Sequence, residues 1–327
     1  PDTVSIADLF AGAVGPGVLL VFIYLIYQMG VAVVRPEMCP PPPRDETDAL
    51  DINIGDLLLT LAPPLFLILC VLGSILGGAA TPTESAAVGA VGAILLAANG
   101  KAQKGRANLA LAILAFAIVL KKLIFPIFAI DLTVSRMLLA LPVGVFLVLL
   151  AEALWSSFRS GVLGLVCTET ARLTSMVFLI LIGAALLSLV FRGFGGDEAV
   201  QTLLTSVPGG PYAALAAVMI VIFFLGFILD FIEIIFVVVP TIAPVLLMQG
   251  VDPIWLAILI SLNLQTSFLT PPFGFALFYF RSSAPPAIKT SDVYLGVLPF
   301  IFLQILVLLL VAFVPAVSTW IPYAIRP

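Results

Sequence analysis

Residues 263–274 read Asn-Leu-Gln-Thr-Ser-Phe-Leu-Thr-Pro-Pro-Phe-Gly, which sets amides and hydroxyls beside a paired proline. Such oxygens, with bared peptide carbonyls, are what membrane transporters use to hold sodium and substrate near the midplane. The stretch lies inside an apolar run from Ile254 to Phe280, long enough to cross a hydrocarbon layer of about 30 Å. Each proline lacks an N–H, and its ring clashes with the carbonyl four residues back. Thr270, just before Pro271, is pushed out of the α region. The spacing therefore predicts two half-helices joined by unwound backbone. Free carbonyls at that depth persist only when buried in protein or lining a cavity. The competing reading is a Pro-kinked span with no ligand, since proline is common in membrane helices. Polar groups are costly in hydrocarbon and need partners, so the clustering of Asn263, Gln265, Thr266, Ser267 and Thr270 favours binding. Thr266, Thr270, Pro271, Pro272 and Gly274 are the candidate ion-binding positions here. Asn263 and Ser267 are the candidate substrate contacts.

A second set of residues is Gly226-Phe-Ile-Leu-Asp230-Phe-Ile-Glu233. Asp230 and Glu233 are the acids placed deep in apolar sequence, where an ionised carboxylate costs several kcal/mol unless partnered. Asp230 and the Gly226 backbone would complete a cation site if this segment met the Thr270 break. Alternatively Asp230 caps the helix that follows it, or is protonated. Glu233 is expected to have a structural pairing partner.

The elements that must position these groups follow from composition. Of 327 residues, 62% are hydrophobic and 10% charged, with a mean hydropathy of +1.25. A soluble domain is about half apolar and a quarter charged, so this is an all-α polytopic membrane protein set in a lipid bilayer. The apolar runs are continuous rather than alternating, which excludes a barrel. The net charge of −4 says little, because charges are confined to connections. There is no histidine, so a zinc site or a His base is absent. Cys39, Cys70 and Cys167 lack ligand spacing. No cofactor, no metal beyond sodium and no nucleic-acid partner is expected.

Along the chain, 1–56 holds a first span (Leu9–Val34) and a Pro-rich charged loop. Residues 57–157 read as scaffold and linking helices. Pro63-Pro64 is expected to break the run Leu57–Leu76 near its start. Thr81-Pro82-Thr83-Glu84 reads as a helix start, with Thr81 as cap. Lys101, Lys104 and Arg106 mark a cytoplasmic loop by the positive-inside rule. Asn108–Ile130, carrying Lys121-Lys122, is either a span or an interfacial piece. Met137–Trp155 is a further span. Residues 158–292 contain a weak segment flanked by Arg159 and Arg172, a helix start at Arg172–Ser175, and a span over Thr174–Val190. A re-entrant hairpin at 211–248 follows, with its tip near Gly226–Asp230, and then the broken helix at 253–281. Pro240 and Pro244 bend or end the second arm. Residues 293–327 hold the final span (Tyr294–Val314). Counting crossings puts both hairpin ends outside and Arg281 and Lys289 inside.

These motifs resemble those of the large membrane subunit of tripartite ATP-independent periplasmic (TRAP) transporters. The matching stretches are Ser5–Leu20, Gly77–Gly89 (GGAATPTESAAVG), Gly226–Asp230 with Pro240 and Pro244, Gly250–Pro253, and Asn263–Gly274. They come in the family's order and cover nearly the whole chain. The resemblance implies an ion-transporter-superfamily elevator fold built from two inverted repeats, each with a re-entrant hairpin and a broken helix, here the second repeat. It makes Gly226–Asp230 the hairpin tip and Thr270-Pro271-Pro272 the ion-site loop. It further implies a bacterial inner-membrane, multi-pass subunit of a sodium-coupled symporter, and not an enzyme. The substrate would be an organic carboxylate delivered by a periplasmic binding protein, and a small membrane subunit would brace the scaffold. The first repeat's Ser-Gly-Ser-Ser tip and Pro-Pro break are not found, so the chain is expected to be the C-terminal portion of a longer subunit.

Two rivals stand beside this reading. A carboxylate or anion transporter that needs no binding protein has the same physics within the chain. An intramembrane enzyme using Asp230 and Glu233 would lack a second catalytic helix and gives the broken helix no role.

Overall fold

The computed structural model describes residues 4–39, 54–78, 80–97, 132–271, 274, 276–277, 280–281, 284 and 288–325. The regular elements among them are helices: α1 (Ile6–Val34), α2 (Ile54–Leu76), α3 (Pro82–Ala97), α4 (Leu132–Arg159), α5 (Val162–Gly193) and α6 (Gly196–Ser206). They continue with α7 (Gly210–Leu225), α8 (Phe231–Met248), α9 (Pro253–Leu269), α10 (Thr290–Phe313) and α11 (Ala316–Ile325). The loop at 40–53, the basic loop at Lys101–Arg106, the Asn108–Ile130 segment and Pro272 lie outside the described residues.

Local chemistry sets the helix starts. Ser5 and Asp8 bond each other's backbone N–H groups at 3.1 and 3.2 Å, a reciprocal cap on α1. Thr81 and Glu84 do the same for α3, at 3.3 and 2.8 Å, as the Thr-Pro-x-Glu pattern leads one to expect. Asp252 accepts from the Trp255 N–H at 2.8 Å, and Pro253 fills the first turn of α9.

Two expectations are corrected. α2 runs unbroken through Pro63 and Pro64; membrane helices absorb such residues when the freed backbone groups find other partners. α5 is one continuous helix, so Arg172–Ser175 lies in its interior and starts nothing. The break falls instead at Gly161, whose φ of +77° only glycine adopts readily.

Among the described residues, α1, Pro142–Arg159 within α4, α5, α8 and α10 are long and apolar enough to cross a membrane. The pair α6 and α7 passes the same test together but bends by 117°.

By packing, the chain divides into residues 44–173 and residues 1–43 with 174–327. In the first unit α3 lies between α2 and α4. Gly92 lets α3 press onto Leu67, and Ser74 and Ser85 share a 2.8 Å hydrogen bond. Small residues at such contacts are how membrane helices approach closely. Leu95 and Ala153 form the local core.

In the second unit the centre is α9. Eleven of its 17 residues are buried, so it is a core helix rather than a lipid-facing one. It packs on α1, α7, α10 and α11. Trp255 Nε1 donates to the Val311 carbonyl of α10 at 2.8 Å. Gly12 and Gly15 of α1 permit close approach elsewhere: a Cβ on Gly12 would stand 2.8 Å from Ile254, and one on Gly15 would overlap the Val317 carbonyl of α11. The hairpin has α7 as first arm and α8 as second. The end of α8 returns to pack on both α6 and α7. Within α8 the stretch Ile234–Val238 is a π turn. Pro240, two residues past its end, has no N–H to continue the α ladder.

Candidate functional site

α9 ends ahead of its prolines. Leu269 is its last helical residue, and Thr270 is extended at φ −86°, ψ 124°, the region allowed before a proline. The Thr270 N–H reaches Ser267 O at 3.1 Å, while its hydroxyl donates to Thr266 O at 2.8 Å. The buried Thr266 hydroxyl donates in turn to Leu262 O at 2.7 Å. Beyond Pro271 the chain tightens, and Gly274 N donates to Thr270 O at 3.1 Å. A Cβ on Gly274 would stand 2.5 Å from Phe268 O and 3.0 Å from Thr270 O. Only glycine fits there, and two carbonyl oxygens of different peptides face one Cα. The site also sits at the negative end of the α9 dipole, where cations are favoured.

The hairpin tip comes to the same helix end. After α7, the N–H groups of Gly226, Ile228 and Leu229 close a turn onto Ile222 O and Leu225 O at 2.8–2.9 Å. Gly226 backs directly onto Ser267: an added Cβ would overlap Ser267 Oγ and lie 2.8 Å from Ser267 Cβ. The Phe231 and Phe268 rings meet edge to face at 5.9 Å. Nearly two turns down α7, Asn263 Nδ2 donates to Met219 O at 2.7 Å.

Asp230 is extended, and its carboxylate accepts from the Phe231 N–H at 2.8 Å. That is the capping role the sequence leaves open; among the described residues no bond joins it to the Thr270 loop. Glu233 has no hydrogen-bond or ion-pair partner among the described residues, contrary to the expected pairing. The cause is compositional: residues 210–250 contain no Lys or Arg. Asn263 is 2% exposed and Ser267 fully buried. Gly226, Thr266, Ser267, Thr270, Pro271 and Gly274 are thus gathered at one helix end, with Asp230 just past the tip and Asn263 one turn below.

A cleft of about 760 Å³ opens between α7, α9 and α10, with Tyr212, Phe223, Trp255 and Phe313 among its walls. Asn263 and Thr266 are the polar side chains in its α9 wall.

Sequence reasoning missed the Asn263–Met219 bond and the contact of Ser267 with Gly226, because both join residues far apart in the chain. It also missed α11, whose Tyr323 hydroxyl donates to the Asp252 carboxylate at the start of α9. The Gly12/Gly15 spacing in α1 is the available sequence signal for the α1–α11 contact.

A multi-pass all-α protein whose core helix ends at a Pro-Pro pair, against the turn that follows α7, has the make-up of a secondary-transporter membrane component. The comparisons make this particular. The family described as tripartite ATP-independent periplasmic transporter, DctM component, matches residues 2–317, and the chain belongs to that family. It is 24% identical to the C4-dicarboxylate TRAP transporter large permease protein DctM of Pseudomonas aeruginosa over 97% of this chain and 60% of the relative. It is 26% identical to the DctM protein of Vibrio cholerae over 98% of this chain and 61% of the relative. The ectoine TRAP transporter large permease protein TeaC of Halomonas elongata is 24% identical over 97% and 60%. The chain therefore spans about 60% of the length of these relatives. They are named as permeases, which are not enzymes, and the family is one of inner-membrane proteins.

Proposed function

We propose that this chain forms part of a sodium-coupled secondary transporter that imports an organic acid handed over by a periplasmic binding protein, with a small membrane subunit bracing the scaffold. The observation that carries the reading is the meeting of the Gly226 tip with the end of α9, where Phe268 O and Thr270 O converge at Gly274. Sodium takes oxygen ligands from unwound backbone and from helix C-terminal ends in such transporters. Gly226, Thr266, Thr270, Pro271, Pro272 and Gly274 would shape this cage, and Asp230 would add negative field from the tip. The hairpin and α9 would travel together as part of a moving transport body. Asn263 and Ser267 remain the proposed substrate contacts: Asn263 lines the cleft and spends one amide hydrogen on Met219 O, while the buried Ser267 hydroxyl donates to Leu264 O. The substrate class rests on relatives named for C4-dicarboxylates, sialic acid and ectoine.

The test is uptake of a C4-dicarboxylate or sialic acid by the assembled transporter in proteoliposomes with an inward sodium gradient. Uptake should vanish without the gradient. Uptake that persists unchanged without sodium or proton gradients rejects the reading. Thr270→Ala should lower sodium-dependent uptake while the protein still inserts.

A further inference from the structure

We infer that Asn263, Ser267 and Gly226 are positioning residues that fasten the hairpin to the broken helix, so that the ion loop keeps its shape through groups that do not touch the ion. Two fasteners are present, and they differ in kind.

The first is polar. Asn263 is buried on α9, and its amide donates at 2.7 Å to Met219 O in the middle of α7. A carbonyl inside a helix already takes the helical N–H four residues on, so the Asn263 bond uses its second lone pair. Asn263 is itself buried, so losing its donor removes the one side-chain hydrogen bond between α9 and α7 at this level among the described residues.

The second is steric. Gly226 has ordinary right-handed dihedrals, φ −64° and ψ −9°, so glycine is not needed there for conformation. It is needed for space. Ser267 Cβ would lie 2.8 Å from a Cβ on residue 226, and no rotation of the serine hydroxyl relieves that. Ser267 Oγ is itself held on Leu264 O at 2.9 Å. The notch at Gly226 and the knob at Ser267 therefore fix how deep the tip sits. Ser267 lies three residues before Thr270 and next to Phe268, whose carbonyl faces Gly274. A shift of the tip at Ser267 is passed to the loop within one helical turn.

The consequence for sodium rests on the sodium-coupled reading; the fastening itself does not. The experiment uses the assembled transporter with four variants: Gly226→Ala, Ser267→Gly, the two combined, and Asn263→Leu, which keeps nearly the size, adds no charge and removes the donor. Two readouts are taken, melting temperature without sodium and the sodium concentration for half-maximal uptake. Gly226→Ala should lower the melting temperature and raise the half-maximal sodium concentration by about tenfold or more, as overpacking of a tight contact implies. Adding Ser267→Gly should restore most of both, because the overlap is gone. Asn263→Leu should raise the half-maximal sodium concentration and lower the melting temperature. Equal losses in Gly226→Ala with and without Ser267→Gly, in both readouts, overturn the steric fastener. An unchanged sodium requirement and melting temperature in Asn263→Leu, with wild-type uptake sodium-dependent, overturns the polar one. Rescue in melting temperature alongside sodium-independent wild-type uptake supports the fastener and sinks the sodium reading instead.

Discussion

Asp230 has two roles that one substitution separates. Its carboxylate caps the second arm of the hairpin, and its charge stands just past the tip. Asn caps a helix about as well as Asp, whereas Ala costs about 0.5–2 kcal/mol. Asp230→Asn should therefore keep the melting temperature of the wild type, and Asp230→Ala should lower it. Sodium-dependent uptake should fall in both variants. If uptake in Asp230→Asn keeps its normal sodium dependence, Asp230 is a cap and nothing more. The capping half of this was legible because it is local: an acid before an apolar run can be read from neighbours alone. The partner of Ser267 was not, because the hydroxyl's surroundings depend on where another segment folds. The same holds for Glu233, whose lack of a partner reflects the absence of basic residues across the hairpin rather than anything at its own position.

The same dipeptide behaves differently in two helices. Pro63-Pro64 is carried inside α2, while Pro271-Pro272 follows the end of α9. Proline chemistry is identical in both, so the difference lies in what surrounds it. At α9 the Thr270 hydroxyl and the Gly274 N–H stabilise the unwound path, and the hairpin tip covers Ser267. Residue types do distinguish the two cases, since Pro63-Pro64 lacks the preceding Thr, the following Gly and the polar cluster; the sequence reading erred at Pro63 by weighing the prolines alone. Changing both prolines, Pro271→Ala with Pro272→Ala, restores two N–H groups and removes both ring clashes, and so lets α9 run on. The expected outcome is a stably inserted protein with sodium-dependent uptake reduced about tenfold or more, by analogy with losing one strong positioned interaction. Wild-type sodium dependence in this variant would show that the interruption is dispensable. The α1–α11 contact makes a separate prediction. Gly15→Leu forces α1 away from the Val317 carbonyl, so it should destabilise by about 1–3 kcal/mol, read as a lower melting temperature. Gly17→Leu serves as the control, since nothing lies near that position.

Composition alone established a multi-pass helical membrane protein, and the motif order established the family before any coordinates. The apolar run at 211–248 is too long for one crossing, so its folding back was legible in the sequence; which helices receive the end of α8, here α6 and α7, was not, because those contacts join segments distant in the chain. At the turn after α7, Gly226 is buried against Ser267 while Ile228 is 76% exposed, so the tip is covered on its α9 side only. The cleft beside that tip is apolar apart from a few groups such as Asn263 and Thr266, which makes it a poor first landing place for a charged organic acid. Capture from dilute solution should then depend on a partner that binds the acid outside the membrane. With the assembled transporter in proteoliposomes and an inward sodium gradient, uptake at low substrate should require added binding protein and should saturate with it. Raising free substrate alone should not substitute. Uptake that follows free substrate equally well without binding protein would instead assign the chain to transporters that collect their substrate directly, leaving the tip and broken helix as an ion site shared by both kinds.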